Sequence, residues 1–228
     1  MTTDLLDNDP RARTNVPATV AAVVFNALIV LFTVYGMIRF FTVGGNGNMA
    51  VFNTAAFRYF TVDSNILVAL ASLLLLIAQI KSLRNGRPVS RGLMAFKHVG
   101  TTAVGVTFFT VFCFLGTLYG YRAMIEGVSL YMHLITPLLA MLGFWFLDRG
   151  QETRFRSVFL GLLPTALYGV VYIAMTVFQK RWQDFYGFNI GGRWILSCVL
   201  MVIATFIISV GLWALHRAAG KKNGGETS

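Results

Sequence analysis

Long apolar stretches recur along the chain, separated by short polar breaks. Runs almost free of Asp, Glu, Lys and Arg cover residues 16–38, 59–80, 99–121, 158–179 and 194–216, the second interrupted only by Asp63. Each is long enough to cross ~30 Å of hydrocarbon at ~1.5 Å per residue. A sixth run, 127–147, just reaches that length and carries His133 and Pro137. The breaks Gly44-Gly45-Asn46-Gly47-Asn48, Arg84-Asn85-Gly86-Arg87-Pro88 and Asp148-Arg149-Gly150 are strong helix punctuation. The pattern predicts an all-α polytopic membrane protein, a bundle of six transmembrane helices with spans near 16–41, 57–80, 98–121, 128–147, 157–179 and 193–216.

Composition agrees. Of 228 residues 56% are hydrophobic and 12% charged, which excludes an ordinary soluble enzyme. The connections between spans are too short to fold alone, so one membrane domain with short tails is expected over residues 1–228. The net charge of +10 does not point to nucleic acid, because the basic residues are scattered among short loops. Topology explains them instead. Arg11, Arg13, Lys81, Arg84, Arg87, Arg91, Lys97, Arg149, Arg154, Arg156, Arg217, Lys221 and Lys222, 13 of the 19 Lys and Arg, share the side of the termini. Arg39, Arg58, Arg122, Lys180, Arg181 and Arg193 lie opposite. That excess places both termini in the cytoplasm, and the short loops suit a bacterial inner (plasma) membrane.

The N-terminal segment carries Asp4, Asp7 and Asp9, then Arg11 and Arg13, before an apolar run too long for a cleaved signal, so it is expected to stay as the first helix. The loop 180–193 holds Trp182, Phe185, Tyr186 and Phe188 and is expected at the outer headgroup level. Cys113 and Cys198 fall inside spans as small packing residues; no disulfide, cofactor or metal is expected. The oligomeric state is left open by the sequence.

Polar groups inside a membrane are costly and therefore mark candidate chemistry. His98 and His216 read as half-solvated rings at helix ends beside Lys97 and Arg217; only in principle do they offer paired haem ligands. His133 lies about one turn inside the outer end of the fourth span, with Thr136 and Pro137 on its face. The ring of Pro137 should free the carbonyl of His133. The bland role of such a His is to hold helices together. A second cluster, Arg58-Tyr59-Phe60-Thr61-Val62-Asp63-Ser64-Asn65, opens the second span. Counted along each helix, Thr61 and His133 both lie ~6 Å below the outer boundary. A threonine hydroxyl needs a base to become a nucleophile, and an imidazole in a low-dielectric site is one. Asn65 or Ser64 would then donate to a developing oxyanion, and Asp63 would orient the ring. The bland alternative for Thr61 is a hydroxyl bonded back to its own helix.

Tyr59-Phe60-Thr61 opening the second span, Met132-His133 followed by Pro137, and Pro164 with Tyr168 in the fifth span make a recognisable set. With six spans and an aromatic fifth loop, the chain resembles the androgen-induced-gene family of threonine intramembrane hydrolases, including its bacterial branch. The resemblance covers the whole membrane domain. It implies an esterase that cleaves fatty acid esters of hydroxy fatty acids (FAHFA), with Thr61 matching the nucleophile and His133 the histidine. The implied partners are a lipid ester substrate and membrane lipids. Arg58 is a candidate for a substrate carboxylate, and Tyr131 and Thr136 are candidates for substrate contact. The family's aromatic-Tyr-Pro-Phe loop pattern is replaced here by Tyr186-Gly187-Phe188.

Two rival functions use the same residues. A lipid or small-molecule transporter or binding protein would line a pathway with them, although no internal repeat is visible. In an assembly factor without chemistry they would be packing groups.

Overall fold

Six helices carry the six apolar runs: α1 Val16–Thr42, α2 Phe60–Asn85, α3 Arg91–Tyr119, α4 Val128–Leu147, α5 Arg156–Phe178 and α6 Trp194–Gly220. The structure, a computed structural model, describes residues 16–46 and 49–224, the last four by backbone alone. Asp4, Asp7, Asp9, Arg11, Arg13, Gly47, Asn48 and the side chains of Lys221 and Lys222 lie outside the described residues. Among the described residues there is no strand. The chain is an integral membrane protein of helical-bundle architecture.

Helix ends follow local chemistry. α2 stops where Gly86 takes a left-handed φ of 69°, its N–H bonding the Ser82 carbonyl. Ser90 then starts α3, its side chain accepting from the Leu93 N–H. Four turns are widened to π geometry: Val111–Leu115 in α3, Tyr131–Ile135 and Gly143–Leu147 in α4, and Ala174–Phe178 in α5. Such turns shift the hydrogen-bond register by one residue and often accompany functional sites.

α3 is the axis of the bundle, with 61% of its most apolar stretch buried against 17% for α6. It packs on α2, α4 and α6, and α1 closes the far side of α2 and α4. Gly100 lets the backbones of α3 and α2 approach closely, since a Cβ there would sit 2.9 Å from Val68 Cα. The outer faces of α5 and α6 expose Leu167, Val170, Ile195, Val199, Ile203 and Ile207. A surface that apolar belongs in lipid.

On the side where α1 begins and α6 ends, the core is polar. Lys97 is fully buried, so it is not among the loop charges with which it was counted. Its Nζ donates to Asn26 Oδ1 at 2.7 Å and Ser72 Oγ at 2.6 Å, and lies 3.8 Å from Asp148 Oδ2. Asn26 and Gln79 donate to Asp148 Oδ1 at 2.8 and 3.1 Å. The network ties α1, α2 and α3 to the residue that ends α4. His98 and His216 are likewise buried rather than half-solvated. They stack on Phe144, with centroids 5.5 and 4.4 Å away. Their Nε2 atoms face the carbonyls of Ser209 and Asp148 at 3.0 and 3.1 Å, so the two rings do not converge on a common haem iron.

Removing one member of a buried pair strands the other. Lys97→Met should therefore lower unfolding stability in detergent by about 3–5 kcal/mol. The double variant Lys97→Met/Asp148→Asn should lose less than the two single losses added together. Additive losses would show that the pair is not coupled.

Candidate functional site

Thr61 sits in the first turn of α2. A short 3-10 turn, Asn53–Arg58, leads into extended Tyr59 (φ −101°, ψ 123°), from which the helix starts. The Tyr59 carbonyl accepts from the N–H groups of Val62 and Asp63, which seats that turn without a side-chain cap. The Thr61 side chain is turned inward, its residue 4% exposed.

His133 lies in the widened turn Tyr131–Ile135 of α4 and is 1% exposed. Its Nε2 is 3.3 Å from Thr61 Oγ. Its Nδ1 is 2.6 Å from the Met124 carbonyl. A carbonyl only accepts, so Nδ1 carries the proton, and in the neutral ring Nε2 is left as the acceptor facing Thr61. This arrangement can pass the hydroxyl proton to the imidazole. The ring is oriented by a backbone carbonyl just before Gly127 and not by Asp63.

The widened turn also changes which carbonyl Pro137 frees. The Thr136 N–H bonds Tyr131 O, five residues back, so in this register the missing N–H of Pro137 faces Met132 O instead of His133 O. Asn65 fills the gap, donating from Nδ2 to Met132 O at 3.0 Å and to its own helix at Thr61 O at 2.7 Å. Both amide protons are committed, so Asn65 is not the expected oxyanion donor. Nor is Ser64, whose Oγ bonds Thr61 O at 3.1 Å and Thr107 Oγ1 at 2.9 Å. Both residues position Thr61.

The remaining candidates are elsewhere. Asp63 lines a groove of about 380 Å³ between α2 and α5, with Pro164, Leu167 and Trp182. Arg58 is exposed, and its carbonyl accepts from the Tyr168 hydroxyl at 2.5 Å. Tyr131 packs against the rings of Phe32 and Tyr35 on α1. Thr136 is buried, and its hydroxyl has no protein partner. Arg58, Tyr131 and Thr136 line neither this groove nor the cavity at Thr61.

That cavity, of about 500 Å³, lies between α3, α5 and α6, and no Asp, Glu, Lys or Arg lines it. Val170 and Val202, 72% and 47% exposed, stand on its walls, so it opens sideways towards lipid. Thr61 thus separates His133 from an apolar space. Phe60 and Tyr168, with ring centroids 5.1 Å apart, border both the cavity and the groove.

The loop between α5 and α6 turns Tyr186 inward and leaves Trp182, Phe185 and Phe188 half-buried. Asp184 organises it, accepting from the Tyr172 hydroxyl at 2.8 Å and the N–H groups of Phe188 and Asn189 at 2.9 and 2.7 Å. Tyr172 in turn accepts from the Tyr186 N–H at 3.1 Å. Tyr186 is buried, and its hydroxyl oxygen accepts from the Phe60 N–H at 2.9 Å, beside Thr61. Burial pushes the Tyr186 phenol above its ordinary value, which keeps it protonated. The alternation of aromatic residues in the loop could not reveal this. The lone acidic residue of the loop, Asp184, four residues before Phe188, was the available signal.

The chain matches no family model, no curated protein and no solved structure. Its own geometry therefore carries the functional argument. Among the described residues no three His, Cys, Asp or Glu converge on a metal position.

Asn65→Ala would leave the Met132 carbonyl unpaired at the junction of α2 and α4. It should cost about 1–3 kcal/mol in thermal or denaturant unfolding. An unchanged midpoint would mean that the bridge contributes nothing.

Proposed function

We propose that this chain is an intramembrane hydrolase of lipid esters, working through a Thr61 nucleophile and a His133 base. The observation that carries this reading is the Thr61 Oγ to His133 Nε2 approach of 3.3 Å, with the opposite ring nitrogen held on a carbonyl. In the reaction, Thr61 Oγ attacks the ester carbonyl carbon and its proton passes to Nε2. The intermediate collapses, the departing alkoxide takes that proton from His133, and an acyl-Thr61 remains. Water then attacks, losing a proton to Nε2; the carboxylic acid leaves and the Thr61 oxygen recovers its proton. The Met124 carbonyl keeps the ring in one orientation throughout.

The substrate class follows from the walls of the site. A cavity without charged lining, open towards lipid, suits an acyl chain that enters from the bilayer. The groove across Phe60 and Tyr168, mostly apolar but with Asp63 on its wall, offers a second space for the alcohol part, in keeping with the resemblance to hydrolases of fatty acid esters of hydroxy fatty acids. Lys97 and Asp148 line neither space, which weighs against a charged transport pathway joined to this site. We place the protein in a bacterial inner membrane with cytoplasmic termini. With Lys97 set aside as buried, the positive charges still divide twelve to six.

Purified protein should hydrolyse a hydroxy-fatty-acid ester and react with a fluorophosphonate probe. Thr61→Ala should abolish both, and His133→Ala should lower turnover by about 10²–10⁴-fold. Labelling and turnover that survive in both variants would remove the proposed chemistry.

A further inference from the structure

Acyl transfer to Thr61 places negative charge on the ester carbonyl oxygen, and a site of this kind needs a donor aimed at that charge. Ser64 and Asn65 are committed to other oxygens. Tyr168 gives its proton to the Arg58 carbonyl. The Tyr186 hydroxyl is different. It borders the same cavity as Thr61 and Tyr168, with the Tyr168 and Tyr186 ring centroids 6.3 Å apart. Its oxygen accepts from the backbone N–H of Phe60 at 2.9 Å, at the start of α2.

We propose that Tyr186 is the oxyanion donor, a catalytic residue delivered to the Thr61 site by the loop between α5 and α6. The proposal rests on the hydrolase reading above. On substrate entry the Tyr186 O–H turns to the ester carbonyl oxygen and donates one hydrogen bond, which shortens as that oxygen becomes negative. No proton is transferred, and the phenol remains a phenol through both halves of the reaction.

Three features suit it to that work. The Phe60 N–H bonding the phenol oxygen polarises its O–H and makes it a stronger donor. The start of a long helix adds positive potential at the same point. The ring is held in place before substrate arrives. Its backbone N–H bonds the Tyr172 hydroxyl, which is anchored on Asp184, and the ring packs against Tyr172, Phe185 and Phe188 at centroid distances of 5.2, 4.8 and 5.6 Å. A donor fixed in advance needs little reorganisation at the moment of reaction.

The test uses the full chain in detergent or nanodiscs, with a chromogenic p-nitrophenyl acyl ester as substrate. Tyr186→Phe keeps the ring and removes only the hydroxyl. Turnover should fall by about 10²–10³-fold, the range for loss of one oxyanion donor, while KM changes by less than a few fold. Incorporation of 3,5-difluorotyrosine at position 186 keeps the oxygen and lowers the pH at which the phenol ionises. That protein should be active at neutral pH and acquire an alkaline fall in kcat that the natural protein lacks, because an ionised phenol has no proton to donate. A Tyr186→Phe turnover within about twofold of the natural protein, or above it, would overturn the proposal, as would an unaltered pH profile in the fluorinated protein. Hydrolysis that persists in Thr61→Ala would instead count against the hydrolase reading itself, so the two failures are separable.

Discussion

Asn65 donates both protons of its amide to backbone carbonyls, one on its own helix and one on α4, and this pair of hydrogen bonds fixes where the site can form. The Met132 carbonyl it reaches has lost its intrahelical donor, because Pro137 stands where the widened turn would require an N–H. Inside a membrane no bulk water can take that place. The carbonyl therefore demands a side-chain donor from a neighbouring helix, and α2 supplies one four residues after Thr61. The same contact brings Thr61 to the level of His133, which immediately follows Met132. A structural defect in one helix is thus corrected by a side chain of another, and the correction sets the spacing of the hydroxyl and the imidazole.

Two polar centres share the bundle, and apolar packing divides them. Lys97, Asp148, Asn26, Gln79 and Ser72 form one near the terminal side, and Thr61, His133 and Asn65 the other. Between them lie Ile29, Val68, Val104 and Ala140, all buried and in mutual contact. The first centre is closed: its charges meet one another, and it borders neither cavity. The second is open on one side, through Thr61, to a space between the two least buried helices. Loose packing of α5 and α6 against the rest is what leaves that space, and their apolar outer faces keep it a lipid environment.

The spans could be read directly because a helix in hydrocarbon must be apolar for about 20 residues, a demand that leaves little room for misreading. The common depth of Thr61 and His133 also followed from helix rise alone. What failed was whatever depended on hydrogen-bond partners. Lys97, His98 and His216 look solvated beside basic neighbours, yet Asp148 and Phe144, distant in sequence, draw them into the core. The widened turn at Tyr131–Ile135 has no evident sequence signal, and it moved the freed carbonyl by one residue. The orienting partner of His133 is a backbone oxygen at the end of the short helical turn Tyr121–Met124, which residue identity does not encode; Asp63 was the side chain of the right type in the wrong place.

Gly187 closes the turn after Tyr186, its N–H bonding the Asp184 carbonyl at 3.1 Å. Its φ of 68° lies in the left-handed region, which the proline of the resembling loop pattern cannot enter with its φ fixed near −65°. A chain with proline there must route the loop differently. Here the turn follows Tyr186 directly, while Asp184 two residues before holds the N–H groups of Phe188 and Asn189 beyond it. The carboxylate and the glycine together reverse the chain around the tyrosine and point it down at the start of α2. The inward position of Tyr186 is therefore built from this chain's own turn chemistry, and it stands whether or not the loop follows the family pattern.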